Sequence, residues 1–112
     1  MNWNKLTTAE QIDEIKALST QKPVFIFKHS TRCSISSMSL DRLQRNWKAE
    51  DADKITPFYL DLIAYRALSN QIASDFGVAH ESPQVLVIRE GKVVYHESHY
   101  AISYATLMAQ IR

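Results

Sequence analysis

The sequence is most informative where it is sparse. It holds one cysteine in 112 residues. A single cysteine excludes an internal disulfide, so the fold does not depend on an oxidising compartment. It also excludes the C-x-x-C pair of dithiol redox motifs. Two glycines and three prolines are too few for a linker-rich or disordered chain. Neither sign of charge dominates. Thirteen Lys and Arg stand against twelve Asp and Glu, a formal net charge of +1, which gives no field to hold nucleic acid or an anionic membrane. No stretch approaches the ~20 apolar residues of a membrane span, and Met1 to Lys5 begin no run of signal-peptide length. These absences predict a cytoplasmic protein with no nucleic-acid or membrane partner. Nothing demands a dimer, and a monomer is expected.

What is present suits one core. Hydrophobic residues make up 46% and charged residues 22%, values of a soluble globular domain. A chain of this length buries roughly two thirds of the surface its unfolded form exposes. There is no internal repeat. The most polar stretch, Lys48 to Lys54, reads as a short charged connector.

Thr8-Ala9-Glu10-Gln11 has the form of a capping box, and Ile12, Ile15 and Leu18 follow at near-helical spacing. After Pro23, Val24-Phe25-Ile26-Phe27 is apolar without alternation, as in a strand buried on both faces. Lys28 to Arg32 reads as a polar loop. Cys33, Ser36, Leu40, Leu43 and Trp47 then share one face of a helix that starts near Cys33; Met38 falls off that face. Pro57 to Asp61 is a second strand, its proline tolerable at the start. Leu68, Ile72 and Phe76 mark a third helix, with Gly77 as its left-handed stop. Val85–Ile88 and Val93–Tyr95 form a hairpin across Gly91. Leu107 and Ile111 belong to a last helix.

The order predicts an α/β fold of thioredoxin-like pattern, one domain over residues 1–112. Its centre is a mixed four-stranded sheet, with room for an extra N-terminal strand, flanked by about four helices. The strand–helix–strand crossover makes the first two strands parallel.

Cys33 then follows the end of a central strand and a short polar loop. Open α/β sheets bind ligands at the carboxyl ends of their strands, and helix starts favour anions. Helix starts and nearby cations lower a cysteine pKa from ~8.5 toward ~3.5–7.5. Arg32 is adjacent, and Lys28 lies at the strand end. The alternative, a small inert core cysteine, suits most lone cysteines better than one at this place. Where a dithiol motif would carry its second cysteine, the chain has Ser36. A serine cannot attack a mixed disulfide, so an outside thiol must. Ser36 is then either an ordinary first-turn residue or a weak donor to the thiolate. A second informative place is Ser82-Pro83, which opens the third strand. Only ~5–6% of X-Pro bonds are cis in folded proteins. Yet this is where thioredoxin-like proteins carry a cis bond, with the preceding backbone open to an extended substrate.

Phe27-Lys28-His29-Ser30-Thr31, Cys33-Ser34-Ile35-Ser36, His80-Glu81-Ser82-Pro83-Gln84 and Ser98-His99 together resemble the bacilliredoxin family of the YtxJ type, monothiol members of the thioredoxin superfamily. The usual T-C-P-I-S pattern of that family appears here as Arg32-Cys33-Ser34-Ile35-Ser36. The lost proline bears on loop rigidity, and the arginine adds a cation. The resemblance implies a thiol–disulfide oxidoreductase that removes bacillithiol from S-bacillithiolated proteins. Cys33 would take up the bacillithiol, and a second bacillithiol would release it as a disulfide for a flavin-dependent reductase. Bacillithiol is then a co-substrate, and no tightly bound cofactor is implied. Substrate contacts fall on Thr31, Arg32, Ser34, Ser36, Ser82 and Pro83. Arg32 or Lys28 would pair with the malate carboxylates of bacillithiol.

Two rival readings differ in class. A monothiol glutaredoxin-like protein would use glutathione or share an iron–sulfur cluster, but its C-G-F-S signature meets Ser34 and Ile35 here. A non-catalytic interaction module would leave Cys33 silent. His29, Cys33 and His80, or His96 and His99, match no standard zinc spacing, and no metal is expected. The histidines are expected at the surface or in loops, and Trp3 and Trp47 in packing.

Overall fold

The computed structural model describes residues 3–111. In chain order it has strand Asn4–Lys5 (β1), helix Glu10–Leu18 (α1), strand Val24–His29 (β2), helix Ser34–Asn46 (α2), strand Thr56–Asp61 (β3), helix Arg66–Phe76 (α3), strand Gln84–Arg89 (β4), strand Lys92–Ser98 (β5) and helix Tyr104–Ala109 (α4). The strands form one sheet in the order β1-β3-β2-β4-β5. β1, β3 and β2 run parallel, and β4 and β5 join them antiparallel. The expected four-stranded mixed sheet is there, and β1 adds the fifth strand.

β2 is the centre because its sequence suits burial on both faces. Every one of its six residues is buried. Alternate side chains go to opposite faces. Val24 and Ile26 join Ile12, Ile15, Leu68 and Ile72 on the side of α1 and α3. Phe25 and Phe27 join Leu43, Val85, Leu107 and Met108 on the side of α2 and α4. Two half-cores thus share one sheet.

Local signals account for most boundaries. The predicted capping box is half made. Gln11 Oε1 accepts from the amides of Thr7 and Thr8 at 2.7 and 3.0 Å. The cap residue itself is Ala9, which has no side chain to offer, so the Thr8 hydroxyl is not the cap. Gly77 ends α3 at φ 68°, as read from the sequence. The hairpin turn places Glu90 at φ 52° and Gly91 at φ 76°, the two left-handed positions its twist requires.

The structure corrects one reading. Lys28 and His29 are not in a loop. They are the last residues of β2, 0% and 6% exposed. Lys28 is paired with Leu60 on one side and Gln84 on the other, and neighbours on both edges hold a polar residue in a strand that its sequence alone would end. The Lys48–Lys54 segment is the short charged connector expected, running between α2 and β3. It contains a 3-10 turn, Ala49–Asp51, and Asp51 is buried against the Tyr104 hydroxyl while Lys54 pairs with it at 3.1 Å. Among the described residues, no helix is long and apolar enough to cross a membrane.

Candidate active site

Cys33 stands at the N-cap position of α2, and its side chain makes no capping bond. The loop of residues 30–32 leaves the carboxyl end of β2, and the Cys33 amide donates to the Ser30 carbonyl at 3.1 Å. The Cys33 backbone is extended, φ −108° and ψ 119°, and its carbonyl accepts from Ser37 at 3.1 Å. The amides of Ser34, Ile35 and Ser36 have no backbone acceptor among the described residues, and no side chain caps them. Unpaired first-turn amides give a helix start its positive end. Cys33 itself is partly exposed, with exposed Thr31, Arg32 and Ser34 around it. Cys33 is therefore partly open to solvent, and the residue before it, Arg32, is an exposed cation.

Ser36 occupies a different place from the one expected for a substrate contact. It is 0% exposed. Its hydroxyl oxygen accepts from the Ser30 amide at 3.0 Å and shares a 2.6 Å hydrogen bond with His29 Nδ1. It bolts the nucleophile loop to the end of β2 and lies beneath the surface that a substrate would touch. His29 is correspondingly not a surface histidine. Burial lowers its pKa, against a smaller opposing pull from Asp61, so the ring is neutral at neutral pH.

The second strand end beside Cys33 belongs to β4. Lys28 pairs with Gln84 across the antiparallel ladder, so the segment before Gln84 stands beside the nucleophile loop. The Ser82-Pro83 bond is cis. The Pro83 carbonyl accepts from the His99 amide at 3.0 Å, and the His99 carbonyl accepts from Ser39 Oγ at 3.2 Å. This chain of bonds fixes the proline loop to α2. His99 itself holds φ 56°, a left-handed conformation unusual outside glycine. Neither the amide nor the carbonyl of Ser82 has a backbone partner among the described residues. Pro83 is buried and Ser82 half-buried.

Lys28 is turned to the other face of the sheet from His29. Its Nζ donates to the Ser69 carbonyl at 3.2 Å, and burial lowers its pKa to about 8. His80 lies on that side too, Nδ1 at 3.2 Å from Ser69 Oγ. Its pKa is lowered by burial and by the charges of Lys28 and Arg66, with Glu81 opposing. Lys28, 0% exposed, therefore cannot meet a carboxylate of a small ligand in solvent, which corrects its expected role; Arg32, exposed, can. His29, Cys33 and His80 do not converge, since the sheet separates His29 from His80. Among the described residues no three His, Cys, Asp or Glu side chains are grouped to hold a metal ion.

The structure thus brings Thr31, Arg32, Cys33, Ser34, Ser82 and Pro83 to one end of the sheet and draws Ser36 inside. Sequence reading missed the His29–Ser36 pair. The available signal was the polar Lys28-His29 continuing an apolar strand, which alternation would have split between the two faces.

Fold and site define a class: a thioredoxin-fold oxidoreductase whose domain supports thiol–disulfide exchange. Comparisons with known proteins agree. A family model described as monothiol bacilliredoxin BrxC matches residues 4–107. The chain belongs to that family. A solved structure described as an oxidoreductase candidate with a thioredoxin fold is 30% identical, with a TM-score of 0.79 over 94% of this chain and 89% of that one. The thioredoxin of Malassezia sympodialis is 17% identical, with a TM-score of 0.74 over 98% of this chain and 88% of that one. The thioredoxin of Fasciola hepatica is 15% identical, with a TM-score of 0.70 over 96% and 95%. These last two show the fold alone.

Proposed function

We propose that this chain is a monothiol oxidoreductase that strips a low-molecular-weight thiol, bacillithiol in its family, from S-thiolated proteins. The observation that carries the reading is the partly exposed Cys33 at an uncapped helix start, with a buried serine where a second sulfur would stand. The Cys33 thiolate attacks the bacillithiol sulfur of the mixed disulfide. The Cys33–bacillithiol disulfide forms, the protein–bacillithiol bond breaks, and the protein leaves as a thiolate that takes a proton from water. A second bacillithiol thiolate then attacks the bacillithiol sulfur on Cys33. Cys33 is released as thiolate, and bacillithiol disulfide carries away the oxidation. No bound cofactor takes part, and the partners are S-thiolated proteins and the small thiol. Ser82 offers its unpaired amide and carbonyl to the extended chain of the protein substrate, as in strand addition. Arg32 and the first-turn amides supply the positive potential around the thiolate, and Thr31 and Ser34 form the rim.

The test is adduct formation. Oxidised bacillithiol and oxidised glutathione are offered separately, and the intact mass is read. One bacillithiol per chain, on Cys33, with little glutathione adduct, is the expected result, and Cys33→Ser forms neither. Preference for glutathione would replace the small thiol with that of the glutaredoxin-like reading. An adduct on Cys33→Ser, or no adduct on the native chain, would overturn the exchange reading itself.

A further inference from the structure

A cavity of about 560 Å³ opens at the β1 edge of the sheet, walled by Trp3, Lys5, Thr7, Tyr59, Asp61 and Tyr65. Its place in the fold follows from strand register. Lys5 is aligned with Tyr59, and Tyr59 with Phe27, so alternation puts all three on the face that α2 covers. The Tyr59 ring stands 5.6 Å from His29 and 6.3 Å from Trp3. His29 in turn holds Ser36, in the first turn after Cys33. The other wall, Asp61 to Tyr65, is tied to the same place, because the Leu62 amide donates to the His29 carbonyl at 2.8 Å. The nucleophile loop starts at the next residue. Cavity and Cys33 therefore share one end and one face of the sheet. In the strand order β1-β3-β2-β4 the cavity lies on the opposite side of β2 from Pro83.

The lining has a definite chemistry. Trp3, Tyr59 and Tyr65 supply flat ring surface, and Tyr65 is 37% exposed. Asp61 uses Oδ1 on the amides of Ile63 and Ala64, at 3.1 and 3.3 Å, and no bond to its Oδ2 is made among the described residues. Lys5 is exposed and makes no ion pair among them. One carboxylate with an open oxygen, Asp61 Oδ2, and one unpaired ammonium on aromatic walls match a small polar molecule bearing both an amine and a carboxylate. The volume is in the range of small-molecule sites, roughly 300–1,000 Å³.

We infer that this cavity holds the non-thiol body of the low-molecular-weight thiol while its sulfur is joined to Cys33, with Asp61 on its amine and Lys5 on its carboxylate. The protein substrate then takes the Pro83 side of Cys33, and the small thiol takes the β1 side. The inference rests on the mixed-disulfide reading and deepens it. It also gives the ligand carboxylate a partner at Lys5, in place of buried Lys28.

The experiment separates binding from exchange. The Cys33→Ser protein, labelled with ¹⁵N, is titrated with reduced bacillithiol, with reduced glutathione and with 2-mercaptoethanol, a thiol without a charged body. Amide shifts at Lys5, Tyr59 and residues 61–65 with at least one charged thiol, and not with 2-mercaptoethanol, are expected. In the native chain, rates of Cys33 adduct formation are compared for the matching charged disulfide and for bis(2-hydroxyethyl) disulfide. Lys5→Glu and Tyr65→Ala should each lower the ratio of the two rates by about fivefold to tenfold, the scale of one ordinary polar or aromatic contact. Shifts confined to Ser82–Gln84 and His99, no shifts at all, or an unchanged rate ratio would overturn the inference. Failure of exchange on Cys33 alongside cavity shifts would instead overturn the proposed function and leave the site standing.

Discussion

Lys28 shows how much one residue can cost the native state. An unperturbed lysine titrates at 10.5, and burial brings this one to about 8 with a single carbonyl acceptor. Below pH 8 both native and unfolded chains carry the proton, and the native chain pays to keep it out of water. Between pH 8 and 10.5 the unfolded chain still binds a proton that the native chain has lost, so stability rises with pH through that window. The difference amounts to about 3 kcal/mol at neutral pH. Lys28→Met should therefore be the more stable protein at pH 7, by about 1–3 kcal/mol once the lost hydrogen bond is counted. The gap should close by about pH 10.5. Urea unfolding at pH 7 and pH 10 checks this, and a native chain more stable than the variant at pH 7 would refute it.

At the scale of elements, the β2–loop–α2 unit is the part that makes a site. Its outline was legible in the sequence. Val24 to Phe27 announced a doubly buried strand, Cys33 a helix start, and Gly77 and Gly91 the ends of α3 and the hairpin. Its interior was not legible. Lys28 and His29 look like loop residues until β3 and β4 pair with them, and that pairing joins residues more than thirty positions apart. The hidden role of Ser36 has the same origin, since only a strand reaching His29 brings an imidazole to it. β1 is two residues long with no apolar alternation, so neither it nor the cavity at its edge had a local signal. The Ser36 hydroxyl serves both the Ser30 amide and His29. Ser36→Ala leaves two polar groups unmatched and should cost about 1–3 kcal/mol. A fall in urea midpoint with unchanged slope is the expected readout; a midpoint equal to that of the native chain would show that the bolt carries no weight.

The whole molecule is a sheet with a half-core on each face, and β2 belongs to both. Ile72 of α3 is 0% exposed in the first half-core, and Leu107 of α4 is 1% exposed in the second. Each truncation to alanine removes buried methyl groups and leaves a cavity, at about 2–5 kcal/mol. The two sites lie on opposite sides of the sheet with no shared cluster, so their costs should add to within about 0.5 kcal/mol. A domain of this size has about 5–15 kcal/mol in total. Ile72→Ala and Leu107→Ala should each fold with a lowered melting temperature, and the double variant should sit at or below the limit of folding. If the sheet couples the half-cores into one cooperative unit, each single variant melts in one transition, seen at the same temperature by fluorescence of Trp3 and Trp47, which both pack on the second half-core, and by far-ultraviolet dichroism of all helices. Trp47 packs against Tyr104 of α4, so it reports the second half-core even when the substitution is in the first. Two separated transitions in Ile72→Ala would show that the half-cores fold independently, and that the sheet under Cys33 is not the rigid platform the thiol site relies on.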